Sequence, residues 1–421
     1  MKKIIEYDAV IIGGGCAGLA AGIALKKKGI ERVLILEKDD EAGGILNQCI
    51  HNGFGLTTFH EQLSGPSFAE RFERQAEELQ AEIKTGCMVT AIHKDKTVDY
   101  ESAEDGCVTV QAKAIILSVG CYERNRGAVS IPGTRPAGVF TAGQAQHYLN
   151  IDGWMVGERV FILGSGDIGL IMARRMTLEG AKVLGVAEVM PYSNGLPRNM
   201  KQCLEDYDIP LYLSHTVTYI YGKDRLTGID IAEVDTDRNP ISGTEKHFEC
   251  DTLLLSVGLI PENHLADKCG IKMDSAIKGP TVDENYMSEV EGIFACGNGL
   301  HVHDLADYAA HQGTKAGEAA AEYIRNGNNS SSCIKTVAGN GISYVVPSRI
   351  HTASLPKVIE CYFRVRRPME NVQIVLRTGE KVIRTIQKEK VNPSEMENVI
   401  LAGSQFENAV DDFVIEIREA D

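Results

Sequence analysis

The 421-residue sequence predicts an α/β protein of two doubly wound units, the second inserted in the first, followed by a small C-terminal β-rich domain. Three observations predict it. The segment Val10-Ile11-Ile12-Gly13-Gly14-Gly15-Cys16-Ala17-Gly18 is answered 151 residues later by Phe161-Ile162-Leu163-Gly164-Ser165-Gly166-Asp167-Ile168-Gly169. Each block then ends on a matching apolar run, Ala114-Ile115-Ile116-Leu117-Ser118-Val119-Gly120 in the first and Thr252-Leu253-Leu254-Leu255-Ser256-Val257-Gly258 in the second. Repetition on that scale is the mark of a duplicated structural unit. The chain after residue 333 changes character and alternates apolar with polar, as in Val372-Gln373-Ile374-Val375-Leu376 and Phe413-Val414-Ile415-Glu416-Ile417. That alternation reads as strands with one buried face.

Each block opens as strand, helix, strand, with continuously apolar strands of the kind a parallel sheet buries on both faces. In the first, a helix of small and apolar residues runs from Gly18 to Lys28 and stops at Gly29, and a strand spans Arg32 to Glu37. In the second, Ile168 to Leu178 is the helix, Gly180 its stop, and Lys182 to Glu188 the strand. Between them lie a charged amphipathic helix, Phe68 to Leu79, and short strands of an antiparallel insert over residues 83–97 and 99–111. Gly292-Ile293-Phe294-Ala295-Cys296-Gly297-Asn298 precedes a helix of small residues from about Asp304 to Ile324. The polar stretch Asn326-Gly327-Asn328-Asn329-Ser330-Ser331-Ser332 reads as a linker. The expected domains are 1–150, 151–265, 266–327 (completing the first) and 333–421.

Composition narrows the function. Lys and Arg number 43 against 58 Asp and Glu, a formal charge of −15, the wrong sign for a protein that lives on nucleic-acid phosphates. The apolar runs fall short of the roughly 20 residues that span a bilayer. The N-terminus enters a strand at once, without an apolar leader, so a cytoplasmic location is expected. Eleven cysteines stand singly, with no C-x-x-C, which argues against a disulfide framework and a thiolate zinc site.

Both glycine clusters are G-x-G-x-x-G with a strand before, a helix after and an acid beyond, the context that a dinucleotide fingerprint requires. Gly13 and Gly164 permit the tight turn, Gly15 and Gly166 let backbone approach a pyrophosphate, and Gly18 and Gly169 allow close helix packing. The helix N-terminus supplies free N–H groups. Glu37 and Glu188, each 24 residues past the first glycine of its block, stand where a carboxylate holds a ribose hydroxyl pair. A carboxylate at 188 repels a 2′-phosphate and favours NAD over NADP, although Arg198 and Lys201 follow closely and leave the choice open.

Two such fingerprints in tandem, each closed by a strand and glycine, with the late Gly292–Asn298 segment, resemble the two-dinucleotide-binding-domain flavoproteins of the pyridine nucleotide-disulfide oxidoreductase superfamily over residues 1 to about 327. The resemblance implies Rossmann-like domains, FAD on Gly13, Gly15, Gly18 and Glu37, and NAD on Gly164, Gly166, Gly169 and Glu188. Gly44, Gly120, Gly258, Gly297 and Asn298 join the implied cofactor-binding set. There are three departures: no paired redox cysteines, Gly297-Asn298 where the family usually has Gly-Asp, and a β-rich tail in place of the family's usual dimerisation domain. The stretches Gly43 to Gly55 and His301 to Asp307 are most similar to the FAD/NAD subunits of sarcosine, opine and cyanide-forming amine oxidases and to the flavoprotein accompanying anaerobic glycerol-3-phosphate dehydrogenase.

The reading that follows is hydride exchange between NAD(H) and FAD within a multi-protein dehydrogenase. Its partners are then NADH or NAD and either a small-molecule substrate or a redox subunit, in an oligomer that a peripheral membrane complex would accommodate. One alternative is a thiol-dependent NADH peroxidase or oxidase using Cys49, its thiolate stabilised by an adjacent His51 imidazolium and a helix terminus. Another is a non-catalytic assembly subunit. His301, His303, Asp304 and Asp307 are expected to cap the following helix and approach the flavin rather than bind metal, because neighbours two apart point to different helix faces. Arg124 and Arg126 are open to a phosphate or an acidic substrate. Tyr192, Asn194 and Arg198 are candidates for contact with the nicotinamide nucleotide.

Overall fold

The computed structural model describes residues 5–327, 332–353, 355–407 and 409–419. It divides into two compact units, Met1–Cys121 with Pro261–Asp421, and Tyr122–Ile260. The chain of the second unit thus interrupts that of the first.

The first unit is built around a parallel sheet in the order Glu82–Lys84, Val33–Leu36, Ile5–Ile12, Gly106–Leu117, Ile293–Ala295. The long strand Gly106–Leu117 does two jobs. Its first half pairs antiparallel with Thr97–Ser102, which pairs in turn with Cys87–Ile92. Its apolar second half pairs parallel with Ile5–Ile12 on one side and Ile293–Ala295 on the other. Ile115 and Ile116 are fully buried there, as a central strand covered on both faces requires. One expectation changes: Glu82–Lys84 is not part of the antiparallel insert but the edge strand of the parallel sheet, paired with Val33–Leu36. Three residues are too few to show a period, so only pairing distinguishes them.

Two helices cover this sheet in close contact, Cys16–Lys27 and Ala306–Asn326. Gly313 and Gly317, one turn apart, face the first helix so tightly that a Cβ would stand 2.0 Å from the Ala17 oxygen and 2.4 Å from the Ala21 oxygen. The amphipathic helix begins at Gly65, earlier than its charge pattern suggests, because Ser64 caps it by accepting from the Ser67 N–H and Pro66 takes the first turn.

The second unit carries a five-stranded parallel sheet ordered Val139–Thr141, Thr252–Leu255, Arg159–Leu163, Lys182–Glu188, Leu211–Leu213. The strand Val139–Thr141 and the helix Ala142–Asn150, read from sequence as the end of the first domain, lie in this unit. A three-stranded antiparallel layer, His215–Gly222, Leu226–Glu233 and Lys246–Phe248, completes it.

The C-terminal β-rich domain is present as expected, with a five-stranded sheet and a three-stranded sheet around their own core of Ile342, Cys361, Phe363, Leu376, Phe406 and Phe413. Its ties to the rest of the first unit are polar as well as apolar. Arg349 donates to the Met287 and Ser288 carbonyls, and His351 N–H donates to Glu284. The linker proposed at 326–332 falls largely at 328–331, outside the described residues.

Candidate functional site

The two fingerprints turn alike at their first glycine. Gly13 has φ +103° and Gly164 φ +99°, and a Cβ at either would meet the carbonyl oxygen of the block-closing serine, Ser118 at 2.4 Å or Ser256 at 2.0 Å. A left-handed turn against neighbouring backbone admits only glycine. Gly18 is held as tightly, its Cβ position 1.9 Å from the Gly13 oxygen. Gly15 is the opposite case, since a Cβ there would meet no atom within 4 Å. The space in front of the Cys16–Lys27 N-terminus is therefore open, in the direction where free helix N–H groups favour an anion. Gly43 N–H donates to the Gly14 oxygen and brings Gly44 against Gly15, walling the same space.

The acids repeat the symmetry. Glu37 Oε2 accepts the Gly14 N–H at 2.6 Å and Oε1 the Asp39 N–H at 2.9 Å. Glu188 Oε2 accepts the Ser165 N–H at 3.0 Å and the Ser165 hydroxyl at 2.7 Å, while Oε1 accepts the Met190 N–H at 2.9 Å. Both carboxylates are buried, and each keeps acceptor capacity beyond these bonds, since an ionised carboxylate has about four lone-pair sites. The loop after Glu188 is tied to the second fingerprint, with Asn194 N–H donating to Ser165 Oγ and Leu196 N–H to Asp167 Oδ1. Open space at a helix N-terminus with a fixed acid beside it fits a dinucleotide in the first unit, and the second repeats the glycine turn and the fixed acid.

Residues 7–313 match the family described as pyridine nucleotide-disulphide oxidoreductase. The chain belongs to that family. It is an FAD/NAD(P)-dependent oxidoreductase. Among curated relatives, hydrogen cyanide synthase subunit HcnB of Pseudomonas protegens is 24% identical over 75% of this chain and 68% of its own length. An opine oxidase subunit of Agrobacterium tumefaciens is 24% identical over 70% of this chain and 62% of its own length. Among solved structures, the thioredoxin reductase of T. acidophilum superposes with a TM-score of 0.62 at 26% identity, covering 75% of this chain and 98% of that one. The matched region ends before the C-terminal β-rich domain.

Unlike a dithiol enzyme, this family member has no cysteine pair spaced C-x-x-C. Cys49 lies beside the first site, with Sγ donating to the Ile45 oxygen at 3.2 Å, and burial pushes its thiol up to about 12. That direction opposes a resting thiolate. His51 turns its Nδ1 to the Asn52 oxygen at 3.1 Å and packs its ring 5.2 Å from Phe54.

The late segment departs from expectation in instructive ways. Asn298 Oδ1 accepts the His303 N–H at 3.0 Å, and its Nδ2 reaches Cys121 Sγ at 3.6 Å. The helix is capped by none of the four polar residues proposed for it, because its N-cap is Leu305, with no side-chain cap. Asp304 instead pairs with Arg364 of the C-terminal domain and accepts the Met396 N–H. Asp307 accepts the backbone N–H groups of Gly55, Thr57 and Thr58, which anchors the loop after His51 and, despite desolvation, holds its carboxyl below the usual range. Arg126 is spent on the Ile131 and Pro132 carbonyls, so it is not free for a phosphate.

Sequence reasoning missed Gln312, Arg364 and the cluster Asp283, Glu284, Arg349 and His351. Gln312 lies on the expected small-residue helix, and a buried amide among alanines was the available signal. The others join segments some sixty residues apart in sequence, which no local pattern reports.

Proposed function

We propose that this chain is the FAD- and NAD-binding subunit of a multi-protein dehydrogenase of the sarcosine, opine or glycerol-3-phosphate type, exchanging reducing equivalents with NAD(H) and passing them to or from a partner subunit. The observation that carries the reading is the twin geometry: two fingerprints of equal stereochemistry, each with its acid fixed by the same backbone donors, and no C-x-x-C to take electrons onward within the chain. FAD, when bound, supplies a two-electron centre able to accept or give a hydride. The chain's own contribution is to bind and orient. Gly15 and the Cys16–Lys27 N-terminus face the pyrophosphate position, Glu37 holds the ribose, and Glu188 does the same for NAD while repelling a 2′-phosphate. The relatives named as subunits, of hydrogen cyanide synthase, opine oxidase and sarcosine oxidase, support a partner protein for this one.

The test is the visible spectrum of the purified protein, followed by anaerobic titration with NADH and, separately, NADPH. Bleaching of the flavin band by NADH, with NADPH much slower, is the expected outcome. A bound flavin that neither nucleotide reduces, and that no NAD-dependent reoxidation restores, sinks the proposal.

A further inference from the structure

Between the Gly297–Gly299 turn and the helix Ala306–Asn326, the chain sets His301 and His303 against the fully buried Gln312. The Gly297 N–H donates to Gln312 Oε1 at 2.8 Å. A backbone N–H can only donate, so the amide oxygen, not its nitrogen, occupies that end. His303 Nε2 lies 3.0 Å from the same oxygen and therefore carries a proton. His301 Nε2 lies 2.9 Å from the amide nitrogen and therefore accepts. Desolvation, above all, lowers His301 well below the usual histidine value and His303 to about 4, so both rings are neutral at physiological pH. A neutral imidazole has one N–H. Its place is now decided in each ring: on Nδ1 in His301, and away from Nδ1 in His303.

Both Nδ1 atoms are buried, and among the described residues neither has a hydrogen-bond partner. The ring centroids are 4.3 Å apart. One ring thus offers a buried donor and its neighbour a buried acceptor, and leaving either unpaired is costly. A carboxylate would need two donors here, and an ammonium or a metal ion two acceptors. A single oxygen that both accepts and donates matches. Tyr362, whose ring lies 5.6 Å from His301 and 6.0 Å from His303, also lines a cavity of about 420 Å³ together with Thr57, Asp307 and Glu360.

We propose that His301 and His303 form a receptor for one hydroxyl group, which accepts from His301 Nδ1–H and donates to His303 Nδ1, with Gln312 as the positioning residue that imposes the two tautomers. The hydroxyl belongs either to a resident water or to a hydroxylated small-molecule substrate. The inference goes beyond the subunit reading and rests on the protein's own atoms.

The first experiment is nitrogen NMR of the histidine-labelled, FAD-loaded wild-type protein. The Nδ1–H tautomer for His301 and the Nε2–H tautomer for His303, neither titrating between about pH 8 and 5, is the expected result; the same tautomer in both rings overturns the proposal. The second is a pair of crystals of that protein, one soaked in ethylene glycol. An oxygen bonded to both Nδ1 atoms that the diol does not displace identifies a resident water, and one replaced or supplied by the diol identifies a substrate hydroxyl; either supports the receptor. No oxygen within hydrogen-bond distance of both atoms in either crystal overturns it. Flavin reduction by NADH, read on the same preparation, succeeds or fails independently.

Discussion

The fingerprint glycines separate what packing demands from what a ligand demands. Gly15→Ala places a methyl group in open space, whereas Gly18→Ala drives one into the Gly13 oxygen. The first variant is expected to melt within about a degree of the wild-type apoprotein yet lose most of its flavin. The second is expected to lose about 1–3 kcal/mol of stability, the usual cost of overpacking, together with its flavin. Melting curves and flavin content per chain on both variants check this, and equal flavin content in Gly15→Ala and wild type would refute the pyrophosphate assignment. Glu188→Gln keeps an acceptor for the Ser165 groups but removes the charge. Its preference for NADH over NADPH should fall about tenfold, equivalent to ~1.4 kcal/mol, as read from KM for each nucleotide.

Elements succeed here where glycine lets them approach. Helix Ala306–Asn326 carries Gly313 and Gly317 on the face turned to helix Cys16–Lys27, the helix whose N-terminus opens the first site. Gly317→Ala, with its Cβ directed at the Ala21 oxygen, is expected to lower stability by about 1–3 kcal/mol even though alanine is the better helix former. Calorimetry decides the point, and an unchanged or higher melting temperature would mean that the helices part without cost. The boundaries of both helices were readable to within a few residues from the glycine stop and the small-residue pattern, because those signals are local. The strand Glu82–Lys84 was not, because a three-residue edge strand is defined by its neighbour.

At the scale of the molecule, the C-terminal domain packs on the rest of the first unit through a buried charge cluster. Asp283 is raised to about 6 by desolvation and then by Glu284, with Arg349 and His351 opposing, while His351 is raised mainly by its hydrogen bond to Glu284. A group whose folded pKa is raised favours the folded state most fully below its unfolded pKa, and that contribution fades as pH rises through the folded value. Asp283 therefore contributes stability at pH 4 that is lost by about pH 7. Asp283→Asn, neutral throughout, should gain on the wild type in melting temperature as pH is raised across that window. A difference between the two proteins that does not change from pH 4 to 7 would show that the cluster carries no proton linkage. Among the described residues no helix is long and apolar enough to cross a membrane.

What the sequence by itself determined is the fold class, the repeated pair of fingerprints, the two acids at their strand ends and the β-rich tail. Strand and helix periods, turn glycines and the spacing of an acid beyond them are imposed by stereochemistry over tens of residues, so a linear reading finds them. What only the tertiary structure decided is how those acids are held, why Asp304 and Asp307 serve Arg364 and the Gly55–Thr58 loop rather than a helix cap, and how Gln312 divides two histidines into a donor and an acceptor. These arise where side chains from remote segments share a buried volume and must satisfy one another's hydrogen bonds. That requirement is set by burial, which has no counterpart in the order of the residues.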